Sequence, residues 1–458
     1  MMADLEKAYQ ESLDYIHSFI DYSIKRNLRN AERNFKIERM TRFMHLLKNP
    51  QNNYPVIHVA GTKGKGSVSA MCASALQAAG YKVGLYTSPH MQEFSERIQV
   101  NGEHITKEAM VRIIAKLKAA VLEVPDITTF ELITALGFLY FDEVGVDIAV
   151  IEVGLGGRLD ATNVVDPMVS VITTISFDHT QVLGNTLSKI AFEKGGIIKQ
   201  GKPVVISPQK REAQKTLIKL CKERSAPIVQ VGRDILFGAD SHSLEGQSFF
   251  VWSPDEQSQV NDFVNSSGEM EWSPLRLKIP LLGYHQVINA ATAYAALQKV
   301  NESGLKVSTQ SIQKGFAKTY WPGRFELLRR QPPVVIDSAH NSDSFLRLRL
   351  AIDDYFPNKP VILVFGVSAD KDIAGMLEEM IPRVKKIITT QSIHPRALDA
   401  HKLFEKVQKY GVPCSAIVPI EAAIETALEE AGDESVVVAA GSVFIAAATR
   451  AVWPNIRK

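Results

Sequence analysis

Residues Pro55–Ser67 read PVIHVAGTKGKGS. The apolar run Val56–Ala60 has the length and composition of a buried strand. It passes directly into a glycine-rich turn carrying Lys65 and Ser67, and a helical pattern follows over Val68–Ala79. Strand, glycine turn and helix N-terminus together make a phosphate cradle. Glycines let backbone N–H groups converge on anionic oxygens, and the helix dipole favours negative charge there. The lysine adds a mobile positive charge, and a hydroxyl can ligate Mg²⁺. The stretch predicts a site for a nucleoside triphosphate.

The general pattern G-x-x-x-x-G-K-[ST] asks for glycine at 59 and a hydroxyl at 66. The chain has Val59 and Gly66, with the hydroxyl one place later at Ser67. Gly64 and Gly66 also give G-x-G, but Ser69 stands where a dinucleotide fingerprint needs its third glycine, which argues against a dehydrogenase.

Working outward, apolar runs alternate with helical patterns: Lys82–Thr87, Asp147–Val153, Val169–Ile175, Pro203–Ile206 and Pro227–Val231. Such alternation predicts an α/β fold with a mostly parallel sheet and helices on both faces. Two helices precede the phosphate loop, over residues 5–20 and 37–47. Residues 232–278 are polar and read as a small antiparallel insertion, with strands at Ser248–Trp252 and Leu275–Ile279. Helices resume at His285–Val300 and Ser311–Lys318. A second α/β series follows at Val334–Asp337, Val361–Phe365, Lys386–Thr389, Ala416–Val418 and Val436–Ala440. Two domains are therefore expected. An ATP-binding domain spans 1–318, a hinge covers 319–326 around Trp321-Pro322-Gly323, and a smaller Rossmann-like domain spans 327–458.

The 458 residues, 45% hydrophobic, suffice for two or three cores. Lys and Arg number 52 against 50 Asp and Glu, a net charge of +2, so no global field for nucleic acid is implied. The basic run Lys25–Arg42 reads as a solvated helix face. Cys72, Cys221 and Cys414 lack metal spacing and read as reduced, mostly buried thiols of a cytoplasmic protein. The polar N-terminus has no apolar core of a signal peptide. The apolar stretch Ser435–Thr449 is short for a membrane span and reads as a core strand and helix start.

Polar residues at strand ends are where open α/β sheets place their sites. Ser88, Glu152 and His179 all follow or end strands and are expected to converge beside the phosphate loop. Glu152 suits Mg²⁺, with a structural acid capping the glycine turn 154–157 as the alternative. A lone histidine after a strand is commonly structural. Lys194, on a helix, carries no functional claim by itself, and Asn289 reads as a cap or packing residue.

In order and spacing, these pieces resemble the folylpolyglutamate synthase/dihydrofolate synthase family, a branch of the Mur-type ATP-dependent ligases. The resemblance rests on HVAGTKGKGSV (58–68), TSPH (87–90), ERIQVNG (96–102), IEVGLGGRLDATN (151–163), FDHTQVLGNT (177–186), EKGGIIK (193–199) and GYHQVINAATA (283–293). In the second series it rests on WPGRFE (321–326), DSAHN (337–341), FGVSADKD (365–372), HPRA (394–397) and GSVF (441–444).

The resemblance implies that Gly61, Thr62, Lys63, Gly64, Lys65, Gly66 and Ser67 wrap the ATP phosphates, with Lys65 on the β/γ oxygens. Ser88, Glu152 and His179 match divalent-metal ligands, which replaces the structural reading of the histidine. Lys194 matches a lysine carried as a carbamate that helps hold a second Mg²⁺. Asn289, Arg324 and Asp337 match nucleotide contacts. His340 and Ser442 fall at the incoming glutamate, and Thr128, Thr129, Phe130, Leu159, Asp160 and Ala161 at the pterin substrate. Lys65, Glu152, His179, Lys194 and Arg324 would carry the chemistry.

The implied reaction joins L-glutamate to a folate or dihydropteroate carboxylate through an acyl phosphate, with ATP as co-substrate, K⁺ as a further cofactor, and a monomer that engages neither nucleic acid nor membrane. The competing readings are a Mur-type ligase with a different acceptor and an ATP-dependent switch. The chain departs from the family at Lys63, where asparagine is usual, and at Ser338 and Ser342, where DGAHNP has glycine and proline. Lys63 is expected either to add a phosphate contact or to face solvent.

Overall fold

Uninterrupted apolar runs bury both faces of a strand, and here they form the centres of two sheets. The computed structural model describes residues 2–20, 36–266 and 274–456. The portion of the basic run before Lys36 and residues 267–273 of the insertion lie outside the described residues.

The first sheet comprises β1 (Val56–Ala60), β2 (Val83–Tyr86), β3 (Ile98–Val100), β4 (Glu103–His104), β5 (Ile148–Glu152), β6 (Val169–Ile172), β7 (Val204–Ile206) and β8 (Ile228–Gln230). Its order is β4-β3-β2-β5-β1-β6-β7-β8. The strands from β2 to β8 run parallel, while β3 and β4 are antiparallel. Every residue of β1 and β5 is buried, because helices cover both faces. Helices Lys65–Ala78 and Tyr284–Glu302 pack on one face. Helices Ile37–Leu46, Lys107–Val121 and Thr129–Val144 pack on the other.

The insertion is an antiparallel sheet of β9 (Leu236–Ser243), β10 (Gly246–Trp252) and β11 (Leu275–Ile279). Its buried Phe249, Val251 and Leu277 join the core beneath the first sheet.

The third sheet contains β12 (Glu326–Arg330), β13 (Pro333–Ile336), β14 (Val361–Phe365), β15 (Val384–Thr389), β16 (Cys414–Ala416) and β17 (Val436–Ala440). Its order is β12-β13-β17-β14-β15-β16, parallel except at the β12 edge. The stretch Ser435–Thr449 supplies the buried centre strand β17 and the start of helix Val443–Val452. No helix among the described residues is long and apolar enough to cross a membrane. The α/β class and the mostly parallel strands follow the sequence pattern. The strands β3, β4, β9 and β12 lie outside the apolar runs that the sequence marks. They are short or polar, and antiparallel pairing with a neighbouring strand, rather than apolar content, makes them strands.

Candidate active site

The site is built at the C-terminal ends of β1, β5 and β6, facing loops of the third sheet. After β1 the chain turns at Gly64, whose φ of +91° an L side chain rarely adopts, and enters helix Lys65–Ala78. A Cβ at Gly64 would also lie 2.2 Å from Asn289 Oδ1, so Asn289 packs directly on the loop. Asn289 is buried, and its Nδ2 donates to Gln286 Oε1 at 2.9 Å. The Thr62 and Lys63 amides donate to Thr174 O at 3.0 and 3.1 Å. That leaves the first-turn amides of Lys65, Gly66 and Ser67, outside the helical ladder, to receive an anion.

Gly66 explains the departure from the general phosphate-loop pattern. Its φ is not positive, so conformation does not demand glycine. Space does: an added Cβ would lie 2.5 Å from Trp321 Cζ2 and 3.1 Å from Trp321 Nε1. The linker indole occupies the volume where Ser or Thr would stand. Its buried Nε1 has no hydrogen-bond partner.

Glu152 ends β5 and is buried. Its Oε2 accepts from the Ser88 amide at 3.1 Å, and Lys65 Nζ lies 3.9 Å from its Oε1. Burial raises the Glu152 pKa, a rise that Lys65 opposes. A cation here would relieve the desolvated carboxylate. Mg²⁺ commonly uses one or two carboxylates together with nucleotide phosphates. The buried Glu152, with Ser88 hydrogen-bonded to it and Ser67 in the first turn of the helix after the phosphate loop, fits that demand, although among the described residues no three His, Cys, Asp or Glu side chains form a metal cluster.

Lys194 is buried at the end of helix Leu187–Lys194, and its Nζ donates to Gly61 O at 2.8 Å. Burial, then the charge of Lys65, lowers its pKa to about 7, so much of the amine is neutral at neutral pH. His179 lies beside Asp178, its Nε2 3.8 Å from Asp178 Oδ1.

Asp178 is the residue sequence reasoning missed. Its Oδ2 accepts from Lys63 Nζ at 3.1 Å and Asn341 Nδ2 at 3.0 Å, and lies 3.4 Å from His340 Nε2. Lys371 Nζ is 3.7 Å from its Oδ1. Burial alone would raise the Asp178 pKa, but Lys63 and His340 outweigh it and hold the carboxyl well below the usual range. Lys63 therefore neither faces solvent nor stands apart, and its Nζ also reaches His340 Nε2 at 3.1 Å. In sequence Asp178 is carried by the FDH triplet at 177–179, directly before His179.

On the third sheet, Asp337 accepts from Phe325 N and Ala339 N, each at 2.7 Å, which pins the segment after Arg324 to the end of β13. Burial raises the Asp337 pKa and lowers that of Arg324, while each partly offsets the other. Ser442 caps helix Val443–Val452, its Oγ accepting from Ile445 N at 3.1 Å. His340 Nδ1 lies 2.8 Å from Ser338 O, and burial lowers its pKa to about 4.

The two segments expected at the pterin come together. The Phe130 ring packs on Gly154, where a Cβ would meet Cζ at 2.4 Å. Thr128 and Glu131 form a capping box, and Arg39 Nε donates to both Glu131 oxygens at 2.8 and 2.9 Å. The Thr129 hydroxyl donates to Phe19 O at 3.1 Å. Asp160 is occupied by its own turn, accepting from Leu155 N at 2.8 Å and Thr162 N at 3.0 Å, with Ala161 buried beside it and Leu159 half-buried. The hydroxyls and carboxylate of this region thus serve the fold, and apolar surface and backbone are what it presents.

Comparison with known proteins adds the following. Residues 59–297 match the Mur ligase middle domain, and residues 323–443 match the Mur ligase, glutamate ligase domain. A Bacillus subtilis dihydrofolate synthase/folylpolyglutamate synthase is 34% identical over 405 residues, covering 87% of this chain and 88% of that protein. The Lacticaseibacillus casei folylpolyglutamate synthase is 33% identical over 96% of this chain and 98% of its own. Among solved structures, E. coli FolC in complex with DHPP and ADP has a TM-score of 0.84 at 30% identity, covering 98% of each chain. A Mycobacterium tuberculosis folylpolyglutamate synthase complexed with ADP and AMPPCP has a TM-score of 0.82 at 30% identity, covering 92% of this chain and 95% of that one.

Proposed function

Because this chain belongs to the folylpolyglutamate synthase/dihydrofolate synthase family of Mur-type ATP-dependent amide ligases, we propose the following division of labour among its residues. The protein ligates L-glutamate to the carboxylate of a folate-type acceptor, with ATP giving ADP and phosphate. The observation that carries the reading is the phosphate loop with Lys65 beside the buried Glu152, set opposite the Asp337–Asn341 loop of the third sheet.

A carboxylate reacts poorly with an amine because its oxygen is a poor leaving group. The acceptor carboxylate attacks the γ-phosphorus, the bond to the β-phosphate oxygen breaks, and ADP leaves. The glutamate amine then attacks the acyl carbon, the carbon–oxygen bond breaks, the nitrogen gives up a proton and phosphate leaves. Such phosphoryl transfer relies on positioning and charge neutralisation. The first-turn amides and Lys65 hold the phosphates. Asn289, Arg324 and Asp337 contact the nucleotide, with Arg324 contributed from the hinge and Asp337 from beyond it. Ser88, Glu152 and His179 would hold Mg²⁺, which supplies charge neutralisation at the phosphates. Lys194, whose depressed pKa leaves a nucleophilic amine, would take up CO₂ as a carbamate with release of a proton, and that carboxylate would hold a second Mg²⁺. K⁺ is a further activator.

Thr128–Phe130 and Leu159–Ala161 border the pterin, and His340 and Ser442 border glutamate. The hinge 319–326 lets domain 327–458 close on domain 1–318, shielding the acyl phosphate from water. Unchanged small-angle scattering on adding ATP and folate would count against closure.

The test is ADP release with and without L-glutamate, using dihydropteroate and tetrahydrofolate in parallel under Mg²⁺ and K⁺. Glutamate-dependent release with both acceptors establishes a bifunctional enzyme, and with one acceptor assigns the chain to that step. Glutamate-independent release with either would move the reading to an ATP-driven switch.

A further inference from the structure

Lys63 is the loop residue that departs from the family, and its ammonium is committed to neighbours outside the loop. Its Nζ lies 3.1 Å from Asp178 Oδ2 and 3.1 Å from His340 Nε2, with 14% of the Lys63 side chain and 10% of the Asp178 side chain exposed. Asp178 follows β6, while His340 and Asn341 follow β13 and Lys371 follows β14. One carboxylate of the first sheet's loops therefore collects side chains from two loops of the third sheet and one from the phosphate loop. The Asp178 Oδ1 also accepts from the His179 amide at 3.0 Å, which fixes the carboxylate's direction. The Lys63 backbone is held as well, through its amide on Thr174 O. Both ends of the clasp are thus anchored, and the charge-assisted contacts lie where little water can screen them.

We propose that Lys63 is a positioning residue for the amino-acid site: through Asp178 and His340 it ties the phosphate loop to the third sheet. This rests on the reading of His340 as a glutamate-side residue. In that arrangement, losing the Lys63 ammonium loosens His340 and Asn341 while leaving the first-turn amides and Lys65 in place. An ordinary phosphate contact would behave differently, since its loss weakens ATP first.

The experiment uses the full chain as wild type, Lys63→Asn, Lys63→Arg and Asp178→Asn. KM for L-glutamate and for ATP are measured, and ligand-free scattering is recorded in low and high salt. Lys63→Asn is expected to raise KM for glutamate roughly tenfold, the scale of one charge-assisted hydrogen bond, with KM for ATP within about twofold. Lys63→Arg restores most of the loss, and Lys63→Asn and Asp178→Asn both enlarge the ligand-free radius of gyration. An equal rise in both KM values, or no change in that for glutamate, overturns the proposal. Scattering identical among wild type and both charge-removing variants overturns the clasp itself. Should the wild type show no glutamate-dependent ADP release, the ligase reading fails, and scattering alone then decides the clasp.

Discussion

Replacing Gly66 with alanine tests whether the linker tryptophan dictates the phosphate-loop sequence. The new Cβ would stand 2.5 Å from Trp321 Cζ2 and 3.0 Å from Cε2. Non-bonded carbons prefer about 3.5–4.0 Å, so ring and loop must part by roughly 1 Å. Overpacking of this kind costs about 1–3 kcal/mol. Against it, Gly→Ala at a helical position of compatible φ gains about 0.4–1 kcal/mol, chiefly by restricting the unfolded chain. In a Trp321→Leu background the clash disappears and only the helical gain remains, so Gly66→Ala is expected to change from destabilising to stabilising. Coupled neighbours show interaction energies of about 0.5–3 kcal/mol, and this pair belongs in the upper half of that range. A displacement near 1 Å in a positioning element can also cost about 100-fold in rate. The assay is urea unfolding of the four corners of the cycle together with KM for ATP. Additivity within about 0.5 kcal/mol, or an unaltered KM for ATP in Gly66→Ala, would refute the packing argument.

Further outcomes follow from the same geometry. Glu152→Gln keeps an acceptor for the Ser88 amide but removes the buried charge; ADP release is expected to fall about 100-fold while the unfolding midpoint holds or rises, read by turnover and urea titration. Lys194 gives a pH test. Its pKa of about 7 lies below its ordinary 10.5, so across that window the unfolded chain holds a proton the folded one does not. The Lys194 contribution to stability therefore rises with pH from about 7 to about 10.5, and Lys194→Met is expected to flatten the slope of unfolding free energy there. A slope equal to wild type would exclude a depressed Lys194. Arg39→Ala leaves Glu131 with its cap but without its cation, and is expected to cost about 3 kcal/mol in urea unfolding and to raise KM for the folate acceptor. An exposed-pair cost below about 1 kcal/mol would show that Arg39 does not brace the Thr128 turn.

The sequence by itself determined the elements whose physics is local. Val56–Ala60, Ile148–Glu152 and Val436–Ala440 are apolar runs that must be covered on both faces, and each is a buried strand. The glycine turn between β1 and the helix that follows was legible from the same stretch of sequence. Tertiary structure decided what depends on distant partners. Gly66 is glycine because Trp321, far along the chain, occupies its side-chain volume. Lys63 turns toward Asp178 because loops from two sheets bring His340, Asn341 and Lys371 to the same carboxylate. Asp160 and Thr128 spend their polar atoms on their own turns. Charge pairing and steric exclusion act between atoms within a few ångströms, and only the folded chain decides which residues come that close.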